Sequence, residues 1–398
     1  MPRKKLLIVG GGSLCLHILQ ILAPRNQFEF HVASRNLAQA ERLCNLIRLG
    51  ALQQDVSVHV QPWAMHLDEH AIERNAGTLA RIRPDIILNC ASLQPWRVIS
   101  QLPSAICATL EQAQMGPWLP MDLAPAYALM RTVMQSGLKS LVINAAYPDA
   151  VNTVLYKIGM APLMGVGSIA NLVPATRSAI ARLAGVEPLR VRVKLLGQHF
   201  FSHYVTRAGL PPGGNFDLTY WIDGAECTDE FQPQEIFASV ARHFQRLGGI
   251  NGHYLTAMSA VSVVESLYAD KEVHVHAPGP HGLPGGYPVK VGLGRVLLDL
   301  PYSLRRDVAI ELNEQGQRQD GIETVLADGT VRFEPEQMAV MQATLGYGVP
   351  QMKIQDVAGH ACELGRRYRE FADRIRQQGV NHHEDQQRAV APERGLPN

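Results

Sequence analysis

The stretch Leu6-Leu-Ile-Val-Gly-Gly-Gly-Ser-Leu-Cys15 passes from an unbroken apolar run into three glycines and then into a helical pattern. Leu6 to Val9 reads as a strand buried on both faces, because no polar residue alternates through it. Gly10 to Gly12 form a turn, and Ser13 is an N-cap residue. Leu14, Ile18, Ile21 and Leu22 then recur at helical spacing until Pro24. Working outward, Phe28 to Ala33 reads as a second strand, and Asn36 to Leu49 as a helix with Leu37, Ala40, Leu43 and Ile47 on one face and Gly50 at its end. Val56, Val58 and Val60 alternate with polar residues as a third strand. Asp85-Ile-Ile-Leu-Asn89 is a fourth, Asp122 to Gly137 a helix, and Leu141-Val-Ile-Asn144 a fifth strand. Strands alternating with helices imply a parallel sheet covered on both faces, so residues 1–160 are expected to form an α/β domain.

Beyond residue 160 the pattern changes. Leu189, Val191, Val193 and Leu195 alternate with Arg190, Arg192 and Lys194, as do Val273 and Val275 with His274 and His276, which is expected of half-buried antiparallel strands with a solvated face. Helical stretches are expected over 233–247, 254–268 and 356–376. Glycine- and proline-rich loops lie at Leu210 to Phe216 and Ala277 to Pro288. Residues 161–377 therefore read as a mixed α+β domain. Residues 378–398 lack apolar periodicity and read as a disordered tail.

Composition narrows the class. The chain has 398 residues, 46% of them apolar and 18% charged, enough for a large core. Its formal net charge of +1 supplies no electrostatic reason to expect nucleic acid or an anionic membrane. The six cysteines form no C-x-x-C pair and read as reduced thiols of a cytoplasmic protein. No apolar run is long enough for a membrane span, and Leu6 to Val9 is too short for a signal segment.

Gly10 to Cys15 matches the dinucleotide pattern G-x-G-x-x-G/A, with Cys15 in its last place. Gly10 permits the tight turn and Gly12 lets the backbone approach a pyrophosphate. The amides of Ser13 and Leu14 open the helix that attracts its charge. A tight turn without a ligand is the plainer alternative. An acid usually ends the second strand to bind the ribose of NAD; here Ala33-Ser34-Arg35 stands instead. Arg35 can pair with a 2′-phosphate that Ser34 also hydrogen-bonds, so NADP is the expected cofactor and NAD the alternative.

The order of features between Pro84 and His199 resembles the lactate and malate dehydrogenases. Asn89-Cys-Ala-Ser92 resembles the strand and turn that follow their nucleotide. Leu141 to Thr153 resembles their strand–Asn-Pro–helix passage, and Gly165-Val-Gly-Ser-Ile-Ala-Asn171 their turn before the active-site helix. Gly185 to His199 resembles the segment that ends in their catalytic histidine. The NAD-dependent family 4 glycosidases share this scaffold. A weaker similarity runs to saccharopine and opine dehydrogenases, whose second domain is mostly helical. The resemblance implies a Rossmann-like parallel sheet followed by a mixed α+β domain, with the site at their junction, and assembly as a homo-oligomer, dimer or tetramer. It also implies that Ala91, Ser92 and Tyr147 line the cofactor, Tyr147-Pro148 being a candidate cis bond.

The same resemblance makes His199 the general acid/base of a hydride transfer with a small carbonyl/hydroxy or imine/amine substrate. A hydrogen-bonded structural histidine is the alternative. Asn171 stands where the family's histidine-orienting Asp falls, and Pro174 where its carboxylate-clamping Arg falls, with Arg177 three residues later. Asn171 cannot stabilise an imidazolium as a carboxylate does, so Asp217 or Asp223 is the expected substitute. Arg97 and Arg207 are further candidates for the clamp. The glycosidases' metal-binding Cys falls at Gly167. His199 and His203, read as one strand face, lack an evident third metal ligand, and no metal is expected. Asp149 is expected to cap the helix that ends at Gly159, and His281 to sit in a loop that either binds an anion or connects strands. The rival readings are an opine-type imine reductase, a redox-assisted glycosidase, and a non-catalytic nucleotide-binding protein.

Overall fold

The computed structural model describes residues 3–94 and 96–390, with side chains described for 3–94 and 98–377. Six strands form a parallel sheet: β1 (Lys4–Val9), β2 (Phe28–Ser34), β3 (Val60–Ala64), β4 (Ile86–Asn89), β5 (Leu141–Asn144) and β6 (Met164–Gly165), in the order β3-β2-β1-β4-β5-β6. The order reverses between β1 and β4, which opens a crevice at their carboxyl ends. Helices α1 (Ser13–Leu22), α2 (Leu37–Leu52), α3 (Ile72–Ile82), α4 (Ser104–Glu111), α5 (Leu119–Ser136) and α6 (Pro148–Lys157) accompany it. The period-two alternation of a strand sends Leu7 and Val9 into one core and Leu6 and Ile8 into another.

The third strand begins at Val60, where Val56, Val58 and Val60 were expected to form it. Pairing with β2 starts at Phe30 opposite Val60 and runs through Pro62. Proline is tolerated there because β3 is the sheet edge. The N-cap of α1 is Gly12 rather than Ser13: the chain is extended at Gly12, whose carbonyl accepts the first helical bond from Leu16.

A second sheet is antiparallel. It contains β7 (Val191–Gly197), β8 (Phe216–Ile222), β9 (Ala225–Glu226), β10 (Val273–Pro278), β11 (Gly286–Gly292) and β12 (Arg295–Leu298), in the order β10-β11-β7-β8-β9 with β12 on β11. Around it stand α7 (Ile169–Ala184), α8 (His199–Ala208), α9 (Pro233–His243), α10 (Gly249–Leu267) and α11 (Arg306–Gln319). The C-terminal part adds a small sheet of β13 (Ile322–Val325), β14 (Val331–Phe333) and β15 (Gln351–Met352), with α12 (Pro335–Leu345) and α13 (Val357–Val390).

The hydrophobic cores do not divide at residue 160. Ile322, Phe333, Met341, Leu364 and Tyr368 share one core with Leu7, Val9 and Leu129, so the C-terminal part closes over the first domain. The apolar face of α5 requires such a cover, and α13 packs on it. Helix α13 also continues through residues 378–390 of the segment expected to lack structure. Once a helix is nucleated by packing, propagation through Gln, Glu, Arg and Ala needs no apolar stripe. The rest of that tail, 391–398, lies outside the described residues.

His276 does not belong to a solvated face as expected. Its ring Nε2 accepts from the Leu195 amide at 3.0 Å, and burial lowers its pKa to about 3. The glycine- and proline-rich loop before β11 is a packed connector. Gly279 donates to Gly285, the His281 amide to Leu163, and Gly285 to Asp149, so these amides already have partners.

Candidate active site

The glycine turn lies where the sheet order reverses. Gly10 has φ +111°, and a Cβ there would stand 2.8 Å from the Cys90 carbonyl carbon. Only glycine lets β1 and the turn after β4 approach so closely. At Gly12 a Cβ would meet nothing within 4 Å, so the space above the turn is open. No side chain caps α1, which leaves its first-turn amides, Ser13 and Leu14 among them, directed at that space. The Ser13 hydroxyl instead pairs with His253 Nδ1 of α10 at 2.7 Å. These features fit the pyrophosphate of a dinucleotide.

Ser34 and Arg35 follow at the end of β2. The Ser34 hydroxyl accepts from the Asn36 amide at 3.2 Å, and Arg35 is exposed at the bend before α2. No acid ends the strand.

At the ends of β4 and β5 a buried asparagine ladder sets the backbone. Asn89 Nδ2 donates to Asn144 Oδ1 at 2.9 Å, and Asn144 Nδ2 donates to Asn152 Oδ1 at 2.9 Å. Asn89 Oδ1 accepts from the Ala91 amide at 3.1 Å and Asn144 Oδ1 from the Ala146 amide at 3.0 Å. These bonds hold the backbone at Ala91 and at Ala146, the residues next to Ser92 and Tyr147.

His199 stands on the first turn of α8 rather than at a strand end. Gln198 caps that helix by accepting from the Phe200 amide. Nδ1 of His199 lies 3.0 Å from Oδ2 of Asp320, a carboxylate only 1% exposed. The same oxygen accepts from the Tyr147 hydroxyl at 2.6 Å and from Gln198 Nε2 at 3.1 Å. A carboxylate accepting from Nδ1–H fixes the tautomer and leaves Nε2 as the basic atom of the ring. Asp320 is itself held from behind: its carbonyl accepts from the Gly116 amide at 2.7 Å, and a Cβ on Gly116 would stand 2.6 Å from that oxygen.

Two more buried acids face the imidazole. Asp122 lies in the first turn of α5, and burial raises its pKa to about 6 against the restraining pull of Ser92 and His199. The Ser92 hydroxyl lies against this carboxyl without closing a hydrogen bond. Asp149 is fully buried, and burial likewise raises it to about 6. Its Oδ1 accepts from the Ser168 hydroxyl at 2.9 Å, while Oδ2 has no partner among the described residues. Asp149 therefore does not cap α6, as expected, but turns toward Ser168; Tyr147 is the N-cap, and its bond to Pro148 is trans. Tyr147 at φ +40° and Ser168 at φ +50° both occupy left-handed backbone that non-glycine residues rarely adopt, beside the same cluster.

Burial opposes charge on His199, but Asp320, Asp149 and Asp122 together outweigh it and raise its pKa above the ordinary 6.5. The ring of His203, one helical turn later, lies 4.4 Å from that of His199, and Tyr147 lies 5.2 Å from it. His203 is pushed well below its ordinary range, by burial first and by His199, Arg207 and Arg246 after it. Two imidazoles this close favour one charge on the pair, carried by His199.

Other expected residues stand elsewhere. Asn171 Nδ2 donates to Thr256 at 2.9 Å, and its carbonyl accepts from Arg246 at 3.0 Å. Arg177 donates to the carbonyls of Pro188 and Leu189 and lines an outer groove with Arg192 and His274. Asp223 is bound to Arg190 and Asp217 makes no bond to His199, so neither is the expected substitute carboxylate. That carboxylate is Asp320, and sequence reasoning missed it. Asp320-Gly321 reads locally as an ordinary helix end, and only packing brings it to a histidine 121 positions away. The side chain of Arg97 lies outside the described residues. Among the described residues no group of three or more His, Cys, Asp or Glu is arranged to hold a metal ion, and no helix is long and apolar enough to cross a membrane.

No family model matches this chain, and no curated protein matches it. Solved structures do match. Lactate dehydrogenase from Cryptosporidium parvum, complexed with lactic acid and nicotinamide adenine dinucleotide, is similar at 14% identity with a TM-score of 0.53, over 80% of this chain and 96% of that one. Malate dehydrogenase from Plasmodium falciparum is similar at 12% identity with a TM-score of 0.55, over 80% of this chain and 96% of that one. Malate dehydrogenase from Aeropyrum pernix is similar at 15% identity and 0.53, over 79% and 97%. The chain has the fold of lactate and malate dehydrogenases, a parallel six-stranded sheet with helices and a separate antiparallel sheet.

Proposed function

We propose that this chain is an NAD(P)-dependent oxidoreductase acting on a small carbonyl/hydroxy or imine/amine substrate, with His199 as general acid/base. The observation that carries the reading is the His199–Asp320 pair, Nδ1 to Oδ2 at 3.0 Å, beside the open carboxyl edge of a dinucleotide-type sheet. Gly10, Gly12, Ser13 and Leu14 would hold the pyrophosphate. Ser34 and Arg35 would meet the adenosine ribose, where the absence of an acid supports NADP over NAD. Ala91, Ser92 and Tyr147 would line the nicotinamide side. Bound there, a nicotinamide supplies or accepts the hydride. His199 Nε2 gives or takes the accompanying proton, and Asp320 steadies the imidazolium, the role that Asn171 was expected to approach.

The dyad favours chemistry over a non-catalytic nucleotide-binding role, because a raised His199 pKa and a fixed tautomer serve proton transfer and not storage of a nucleotide. Leu247, Ile250, Tyr254 and Met258 leave an exposed apolar stripe at α10, which supports a homo-oligomer. Six free cysteines, two of them fully buried, suit a reducing cytoplasm. The reading is tested by titrating the protein with NADPH and NADH, following nicotinamide fluorescence, for wild type and Arg35→Ala. Micromolar NADPH binding that the variant loses supports it. Binding of neither dinucleotide below about millimolar, about 4 kcal/mol, overturns it.

A further inference from the structure

A second histidine is buried in the parallel sheet, away from His199. Glu29 and His31 share one face of β2, because side chains alternate along a strand. The register sets Lys5 of β1 beside Glu29, and Gln61 of β3 beside His31. Trp63 stands opposite Ala33 and reaches back along β2 to His31. His31 is 2% exposed, and both its ring nitrogens are engaged. Trp63 Nε1 donates to Nδ1 at 3.0 Å, and Nε2 lies 3.0 Å from Oε1 of Glu29. An indole N–H can only donate, so Nδ1 carries no proton. The one ring proton is then on Nε2, donated to Glu29, and His31 is neutral with a fixed tautomer. A second proton would have to enter at Nδ1 and face the indole N–H, donor against donor. Protonation of His31 and the Trp63 hydrogen bond exclude each other.

We propose that His31 and Trp63 form an acid-sensitive latch on the edge strand β3: a proton taken from solvent at Nδ1 of His31 releases the indole and loosens β3 from β2. The inference does not depend on the oxidoreductase reading. Charged groups face the latch from each neighbouring element. Lys5 Nζ of β1 lies 3.8 Å from Glu29 Oε1, and His59 Nε2, just before β3, lies 3.5 Å from the same oxygen. Arg81 of α3 lies over the Trp63 ring, 5.2 Å from its centroid. Burial lowers the His31 pKa below the ordinary 6.5 against the pull of Glu29, and Lys5 and His59 add to the lowering. An edge strand interrupted by Pro62 has few ladder bonds to hold it without the indole. Ala64 pairs with Ser34, and the Met65 amide donates to the Ser34 carbonyl at 3.0 Å, so loosening reaches the strand end that carries Ser34 and Arg35.

The full chain, labelled at its tryptophan indoles and histidine rings, is followed by NMR from about pH 8 down to about pH 5. The Trp63 indole signal is identified by its loss in Trp63→Phe, and the His31 signal by its loss in His31→Gln. The indole signal is expected to shift, and to exchange faster with water, at the midpoint of the His31 titration. Trp63→Phe removes the opposing donor and is expected to raise that midpoint by about 0.5–1 pH unit. His59→Gln is expected to leave the Trp63 transition present. An indole signal that stays constant while His31 titrates overturns the latch, as does a transition abolished by His59→Gln. So does a His31 midpoint that is unchanged or lowered in Trp63→Phe, or a His31 that stays neutral until the protein unfolds. If Trp63→Phe does not fold, the wild type and His59→Gln decide.

Discussion

His199 and Asp320 are 121 positions apart in the chain, yet Nδ1 and Oδ2 meet at 3.0 Å. The histidine begins α8, and the aspartate ends α11 and is anchored through its carbonyl to Gly116, at the entrance to α5. Through that anchor the pair ties α8 and the end of α11 to the entrance of α5. Tyr147 and Gln198 bind the same oxygen, so the carboxylate cannot turn away without breaking three hydrogen bonds.

Replacing Asp320 by Asn removes the charge that steadies the imidazolium and leaves an amide that can present its donor to Nδ1. The His199 pKa is expected to fall, and turnover to drop by about 10²- to 10⁴-fold. Imidazole resonances followed by NMR across pH separate this from a structural effect. An unchanged His199 titration in a folded Asp320→Asn protein would contradict the assignment.

Stability should fall with rising pH through three groups of this cluster. Asp122 and Asp149 have folded values of about 6 against an ordinary 3.8, so they bind protons more tightly in the folded state. Their contribution is complete below about 3.8 and is lost as the pH climbs through about 6. His199, raised above 6.5, adds stability that is present below 6.5 and lost as the pH passes its folded value. Asp122→Asn keeps the uncharged form at every pH. It should flatten the decline between pH 4 and 6 by up to about 3 kcal/mol, read by urea unfolding at a series of pH values.

Two glycines of the turn should behave differently. Gly10→Ala forces a Cβ against the Cys90 carbonyl at a φ of +111°, and a loss of about 2–4 kcal/mol is expected. Gly12→Ala meets nothing within 4 Å, so its thermal midpoint should be unchanged while dinucleotide affinity falls. Equal losses of stability in the two variants would show that the open space at Gly12 is not kept for a ligand.

Tyr147→Phe deletes the 2.6 Å hydrogen bond to buried Asp320 and should cost about 1–3 kcal/mol. With one donor fewer, the Asp320 charge is less shared and should raise the His199 pKa further. Stability from denaturant unfolding and the NMR titration of His199 together test this, because simple loosening of the site would move stability without moving the pKa upward.

The parallel sheet and the glycine turn were legible in the sequence because both rest on neighbours along the chain. Apolar runs of four residues, helical spacing and a glycine triplet are local patterns, and β1, β2, β4 and β5 lie where those patterns place them. His199 was legible only through its resemblance to a known segment. The strand at Val60–Ala64 was misplaced because an edge strand with a proline carries a weak periodic signal. The tertiary structure alone decided which carboxylate orients His199, that two further acids share its burial, and that residues 322–372 complete the core of the first domain. The physical reason is range. Backbone conformation is governed by the residues a few positions away. Burial, charge and hydrogen-bond partnership are set by whichever groups packing brings within a few ångströms, however distant in the chain.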